Sequence, residues 1–91
     1  MEQARIIAAL AESFGFVARP QQDGPQRRLW ERASLAIDTL PHALAKGEDV
    51  THSLRVIAFA CGQLPGGADA QGCAGCLASH LGLSLFRNRA A

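Results

Sequence analysis

Apolar residues recur at intervals of three and four along most of the chain, which is the spacing of one face of an α-helix. The alternation of apolar and polar residues that is typical of strands does not persist over the length of a strand. Helical spacing falls in four segments, at about residues 2–14, 25–44, 49–64 and 70–87. We therefore expect an all-α fold of four principal helices, and the short connections favour two antiparallel helical hairpins.

Each of the first three predicted helices has an apolar stripe that we expect to face the core. The stripes are Ala4, Ile7, Leu10, Phe14 and Val17; Trp30, Ala33, Ile37 and Leu40; and Val50, Leu54, Ile57, Cys61 and Leu64, with Val56, Phe59 and Ala60 widening the third. The fourth helix is rich in glycine, alanine and serine. Because glycine inside a helix costs about 1 kcal/mol relative to alanine, we expect another element to approach this helix closely.

Capping and helix-breaking residues predict where the helices end. Asp23 is expected to cap the second helix and Asp69 the fourth, since their carboxylates can accept hydrogen bonds from the first free N–H groups. Pro41 lacks a backbone N–H, so we expect a kink or break near position 40. Lys46 and Gly47 then close the segment.

Length and charge divide the chain into two unlike parts of one domain. The 91 residues suit a single domain, 1–91, whose charge lies mostly in residues 1–49, whereas residues 50–91 are apolar and carry every cysteine. Asp69 is the sole formally charged residue between Val56 and Phe86. Because so small a core is marginal, we expect a partner, a second copy, a metal or a disulfide to complete the stable species.

The charge balance and the hydropathy exclude several classes of partner. A formal net charge of +1 disfavours nucleic acid as a partner, and Arg27, Arg28 and Arg32 are interpreted as a solvated helix face. The longest apolar run is too short to cross a membrane, and the N-terminus lacks the basic start of a secretion signal. Three cysteines do not suggest a disulfide framework, so we expect a cytoplasmic protein.

Cys73, Cys76 and His80 form a C-x-x-C-x-x-x-H pattern on one face of the predicted fourth helix. Three interpretations remain open. The two cysteines could carry thiol redox chemistry with His80 moving the proton. Cys61 could join these three residues as the fourth ligand of a structural zinc ion. The cysteines could also be small buried residues where two helices pack, with no chemistry at all.

The segment GCAGCLASH at residues 72–80 resembles the cysteine-histidine motif of the alkylhydroperoxidase D and carboxymuconolactone decarboxylase-like family. LRVIAFA, at residues 54–60, resembles the helix that leads into that motif. The resemblance implies an all-α antioxidant fold in which Cys73 and Cys76 cycle through a disulfide and His80 belongs to a proton relay. That family's relay also uses a glutamate on the preceding helix, where this chain has Arg55 and no acid.

Three other segments are similar to helices of the tetratricopeptide-like chaperones that hold needle subunits of type III secretion systems. They are EQARIIAALAESFG at residues 2–15, AFACG at 58–62 and HLGL at 80–83. This resemblance implies a scaffold of helical hairpins whose concave apolar face binds an amphipathic helix of a partner.

Together these observations favour a small non-enzymatic interaction module: an adaptor, a chaperone or an inhibitor. We expect it to dock a partner helix or a second copy of the chain on its apolar C-terminal helices, with no cofactor. The predicted docking residues are Ile57, Cys61, Leu64, Leu77, Leu81 and Leu85. The alternatives are a thiol-disulfide antioxidant protein with catalytic Cys73, Cys76 and His80, and a domain stabilised by zinc on Cys61, Cys73, Cys76 and His80.

Overall fold

Four helices make up the computed structural model, which describes residues 2–85. They are α1 (Glu2–Phe14), α2 (Pro25–Ala45), α3 (Thr51–Gln63) and α4 (Ala68–His80). Within the described residues there is no strand. The predicted all-α fold of four helices is confirmed.

Helix α1 packs closely on the helix that is farthest from it in sequence, whereas the other close pairs are adjacent in sequence. α1 packs mainly on α4 and α2 mainly on α3, whereas α1 contacts α2 through far fewer residues. α3 and α4 do form a close hairpin, because only residues 64–67 separate them. The longer link at residues 15–24 lets α1 lie against α4 instead.

The core is built from the predicted stripes, and the third stripe is the most completely buried. Leu54 and Ile57 are fully buried and Cys61 is 1% exposed. The widening of that stripe is wrong at Phe59, which is 58% exposed, because it lies on the face of α3 that lines a cavity with α2. Ala4, at the start of the first stripe, is also exposed.

Phe14 and Trp30 join α1 to α2. Their ring centroids lie 5.5 Å apart, and the Arg19 guanidinium lies 5.1 Å from the centroid of the Trp30 ring. The buried Nε1 of Trp30 has no hydrogen-bond partner within the described part of the chain. This small contact is therefore held by ring packing and by a cation over an aromatic face.

Neither predicted aspartate cap forms. The residue at the N-cap of α2 is Gly24, and that of α4 is Gly67, and neither helix has a side-chain cap hydrogen bond. Pro25 at the first helical position places Asp23 one residue too early to reach the free N–H groups. Asp69 lies inside the first turn of α4, where its negative charge still complements the helix dipole.

Asp49 lies just before α3 and is hydrogen-bonded to the first residue of that helix. Its Oδ1 accepts hydrogen bonds from the hydroxyl of Thr51 at 2.6 Å and from the backbone N–H of Thr51 at 2.9 Å. These bonds favour the carboxylate and lower the pKa of Asp49 below its usual value. The helix begins at Thr51, two residues later than the sequence pattern predicts.

Of the kink or break predicted near position 40, the break is wrong, because α2 continues through Pro41 to Ala45, and the kink stays a prediction. Pro41 removes one backbone donor from a helix of 21 residues, and its exposed ring does not disturb the core. The predicted closure at Lys46 and Gly47 is confirmed: Lys46 is the C-cap, and the Gly47 N–H donates to the Leu44 carbonyl at 3.1 Å.

The fourth helix is shorter than the sequence pattern predicts, and its last turn is closed by Gly82. Gly82 has a φ of 74°, a left-handed conformation that favours glycine. The N–H of Leu83 donates to the Ala78 carbonyl at 2.8 Å, and the N–H of Gly82 donates to the Ser79 carbonyl at 3.1 Å. These paired bonds end the helix at His80, and predicted positions 86 and 87 lie outside the described residues.

Candidate functional site

All three residues of the cysteine-histidine motif lie within α4. Cys73 is half-buried at the edge of the core, whereas Cys76 and His80 are exposed. The Sγ of Cys73 lies 3.6 Å from the Oγ of Ser13 on α1, which fits a weak hydrogen bond. Sequence reasoning did not identify Ser13, because nothing local predicts that α1 packs on α4.

Cys61 is separated from that motif by its burial. Its side chain is 1% exposed in the core, and burial raises the pKa of its thiol to about 11. A buried thiol with a raised pKa is a poor nucleophile, because the thiolate is the reactive form. Cys61 therefore acts as a small apolar core residue in this fold.

The zinc hypothesis requires Cys61, Cys73, Cys76 and His80 to converge. Among the described residues, no group of three or more histidine, cysteine or acidic side chains is placed to hold a metal ion. Cys61 packs inward from α3, whereas Cys76 and His80 are exposed on α4. The structure does not bring the four predicted zinc ligands together.

The redox hypothesis expects a thiolate favoured by the N-terminus of a helix. α4 begins at Ala68, so Cys73 lies in its second turn, beyond the first turn over which the free N–H groups act strongly. The expected close approach to α4 occurs at Ala70, Ala74 and Ala78, which are buried. It does not occur at Gly72 and Gly75, where a Cβ would meet no atom within 4 Å.

We predict that the three thiols differ in reactivity towards a disulfide reagent at pH 8. Cys76 should react quickly, Cys73 more slowly, and Cys61 only after unfolding, because its thiol is buried and its pKa is raised. Titration of the native and the unfolded chain measures this, with Cys61→Ala as the control. Three thiols reacting at one rate in the native chain would contradict the buried position of Cys61. A native thiol titrating well below the free value of about 8.5 would favour the redox hypothesis.

The structure places five of the six predicted docking residues inside the chain's own core. These are Ile57, Cys61, Leu64, Leu77 and Leu85; the sixth, Leu81, is partly buried against the same core. The apolar stripes of α3 and α4 face each other and the other two helices, so these side chains contact the chain itself. An exposed docking surface has to lie elsewhere.

Such a surface lies between α2 and α3, and we call it the α2–α3 groove. It consists of two adjoining cavities of about 310 Å³ and 280 Å³, which share Arg32, His52 and Val56. Exposed Phe59 lies at one end and exposed Leu35 at the other. Large apolar side chains gathered on one exposed surface are typical of interaction sites.

The charged residues that line the groove are all basic. Arg32, His52 and Arg55 line it, and none of its described lining residues is acidic. Arg55 is already engaged, since its guanidinium donates to the carbonyls of Leu85 at 3.0 Å and Ser84 at 3.3 Å. Arg32 and His52 make no side-chain hydrogen bond or ion pair within the described residues, so their donors are available to a bound partner.

The sequence does contain a pattern that corresponds to this groove, although the apolar stripes of α2 and α3 are more obvious. Positions 52, 55, 56 and 59 share one face of α3, and positions 29, 32, 36 and 39 share one face of α2. The arginine cluster divides accordingly: Arg27 pairs with Glu31 at 3.1 Å, whereas Arg32 lines the groove. Only the pairing of α2 with α3 brings the two faces together.

Comparisons with protein-family models, curated proteins and solved structures find no match to this chain. Both family resemblances therefore stay predictions. In the described part of the chain, no helix has the length and apolar character needed to cross a lipid bilayer.

Proposed function

We propose that this chain is a small, non-enzymatic interaction module that docks an amphipathic helix of another protein in the α2–α3 groove. The observation that carries the proposal is the exposure of Leu35 and Phe59, at 65% and 58%, at the two ends of one groove. As an adaptor, a chaperone or an inhibitor in the cytoplasm, the chain would bind its partner's helix by laying the apolar face of that helix in the groove. The sequence predicts partner binding on the apolar C-terminal helices, whereas we propose that the partner binds the outer faces of α2 and α3.

A helix is the element that fits this groove. The groove is bounded by two helices, and the described residues offer no sheet edge to which a strand could add. From Leu29 to Thr39 along α2 it runs for about 15 Å at a rise of 1.5 Å per residue. Two to three turns of a helix would cover that length and bring apolar anchors to both ends.

The proposal is tested by selecting helical peptides from a displayed library against the full chain. The selected peptides should bind Phe59→Asp about tenfold more weakly, because a charge replaces a large apolar contact at one end of the groove. Phe16→Asp is the matched control, since Phe16 is 78% exposed but lines neither cavity of the groove. Thermal unfolding of both variants checks that each is folded.

The expected result is a set of peptides whose binding depends on Phe59 and not on Phe16. Failure to select any binder would contradict an interaction role for this groove. Peptides that bind both variants as tightly as the original chain would contradict it equally, since their site would lie elsewhere.

A further inference from the structure

We infer that the partner helix is acidic at its centre, with two apolar anchors about seven residues apart on either side of at least one glutamate or aspartate. The inference rests on the proposed function and specifies its partner. Its basis is the position of Arg32 and His52, which line both cavities of the α2–α3 groove together with Val56, while large apolar side chains lie at each end.

The two apolar ends set the spacing of the anchors. Leu29 and Phe59 line one cavity, and Leu35 and Ala36 line the other. Six to seven residues separate these positions on α2, which corresponds to about 10 Å along the helix. A partner helix lying along the groove covers the same distance between its residues i and i+7, which also lie on one face.

The centre of the groove sets the charge. Arg32 and His52 line both cavities, so each lies between the two apolar ends. A carboxylate at i+3 or i+4 of the partner helix falls on the same face, midway between the anchors. The Arg32 guanidinium can hold that carboxylate through two parallel hydrogen bonds, and an imidazole N–H of His52 can donate to it.

The chain's own C-terminal segment fits the groove less well. The chain's own residues 86–91 follow Leu85, whose carbonyl Arg55 holds beside the groove, but this segment carries Arg87 and Arg89. Two further positive charges would meet Arg32 and Arg55 with no acidic residue among the lining residues to offset them. Charge complementarity therefore favours an acidic helix over this segment of the chain.

The test uses a designed helical peptide of eighteen residues as the probe. It has leucine at peptide positions six and thirteen, glutamate at nine and ten, and alanine and glutamine elsewhere. The matched peptide carries lysine in place of the two glutamates. Binding to the full chain is measured by fluorescence anisotropy of the labelled peptides, and the site is mapped by backbone amide NMR shifts.

The glutamate peptide should bind with shifts confined to α2 and α3, and the lysine peptide should bind at least about tenfold more weakly. Arg32→Glu should weaken the glutamate peptide about tenfold. Arg5→Glu is the matched control, because Arg5 is exposed on α1, lines neither cavity and changes the formal charge equally. Its affinity should stay within about twofold, since charges beyond a Debye length of about 8–10 Å are screened.

Equal affinity of the two peptides, or equal effects of the two variants, would overturn the inference. If library peptides still bound in a Phe59-dependent way, the proposed function would survive and only the acidic partner would fail. Self-association of the chain that Phe59→Asp abolishes would assign the groove to a second copy and overturn the inference as well.

Discussion

Gly67→Ala is expected to destabilise the fold by about 3 kcal/mol or more, one of the two largest effects we predict. A Cβ built on Gly67 would overlap the backbone carbonyl of Cys61, which cannot move away as a flexible side chain could. Gly67 is also tied into the link between α3 and α4. Its N–H donates to the Leu64 carbonyl at 3.1 Å, and its carbonyl accepts from Gln71 at 2.9 Å.

Gly72→Ala is the matched control for that substitution. Gly72 lies within α4 and a Cβ there meets no atom within 4 Å, so alanine should stabilise the helix by about 0.5–1 kcal/mol. Thermal unfolding should place the midpoint of Gly67→Ala at least about 10 °C below that of the original chain. Midpoints that fall by the same amount in both variants would contradict the close approach at Gly67.

Leu77→Ala is expected to cost about 2–5 kcal/mol, because the side chain is fully buried and alanine leaves a cavity. Leu35→Ala, on the 65% exposed side chain, should change stability by less than about 0.5 kcal/mol. Its effect should instead be on binding, with the glutamate peptide bound about fivefold more weakly. Urea unfolding and peptide anisotropy on the two variants measure both effects.

This pair separates the core from the docking surface. If Leu77→Ala does not fold, Leu77→Val gives a smaller loss of about 1 kcal/mol with the same meaning. Leu77→Ala that is as stable as the original chain would contradict the burial of Leu77. Leu35→Ala that weakens no peptide would contradict the extent of the groove at that end.

The periodic pattern predicted the helices and most of their buried residues. Leu10, Ile37 and Leu54 each repeat at helical spacing with their neighbours, and each lies in the core. The pattern failed where packing against another helix decides whether a side chain is buried. Phe59 is as apolar as the core residues, but it lies on the side of α3 that faces the groove. Hydrophobicity alone does not fix the width of a buried arc.

The ends of the helices depend on capping residues and backbone conformation, which the spacing of apolar residues does not indicate. Gly82 lies within the span predicted for the fourth helix, about residues 70–87, yet its left-handed conformation ends that helix. Asp23 has the side chain of a good cap, but Pro25 moves the start of α2 out of its reach. In both cases one or two residues decide where the helix begins or ends.

The candidate site was the least predictable part of the molecule. The spacing of Cys73, Cys76 and His80 predicted that all three lie on one helix, and they do lie on α4. It could not show that Cys61 on α3 is buried in the core, away from the exposed Cys76 and His80. The groove requires two helix faces to meet, and each face looks solvated on its own. Tertiary pairing of α2 with α3 is information that no single segment carries.

An exchange of charge between the chain and the peptide tests most directly whether the α2–α3 groove binds an acidic helix. Four affinities are measured: the original chain and Arg32→Glu, each with the glutamate peptide and with the lysine peptide. If Arg32 contacts the central acid, Arg32→Glu should bind the lysine peptide about tenfold more tightly than the original chain does. Losses that simply add, with no recovery in the exchanged pair, would show that Arg32 and the central charge do not meet.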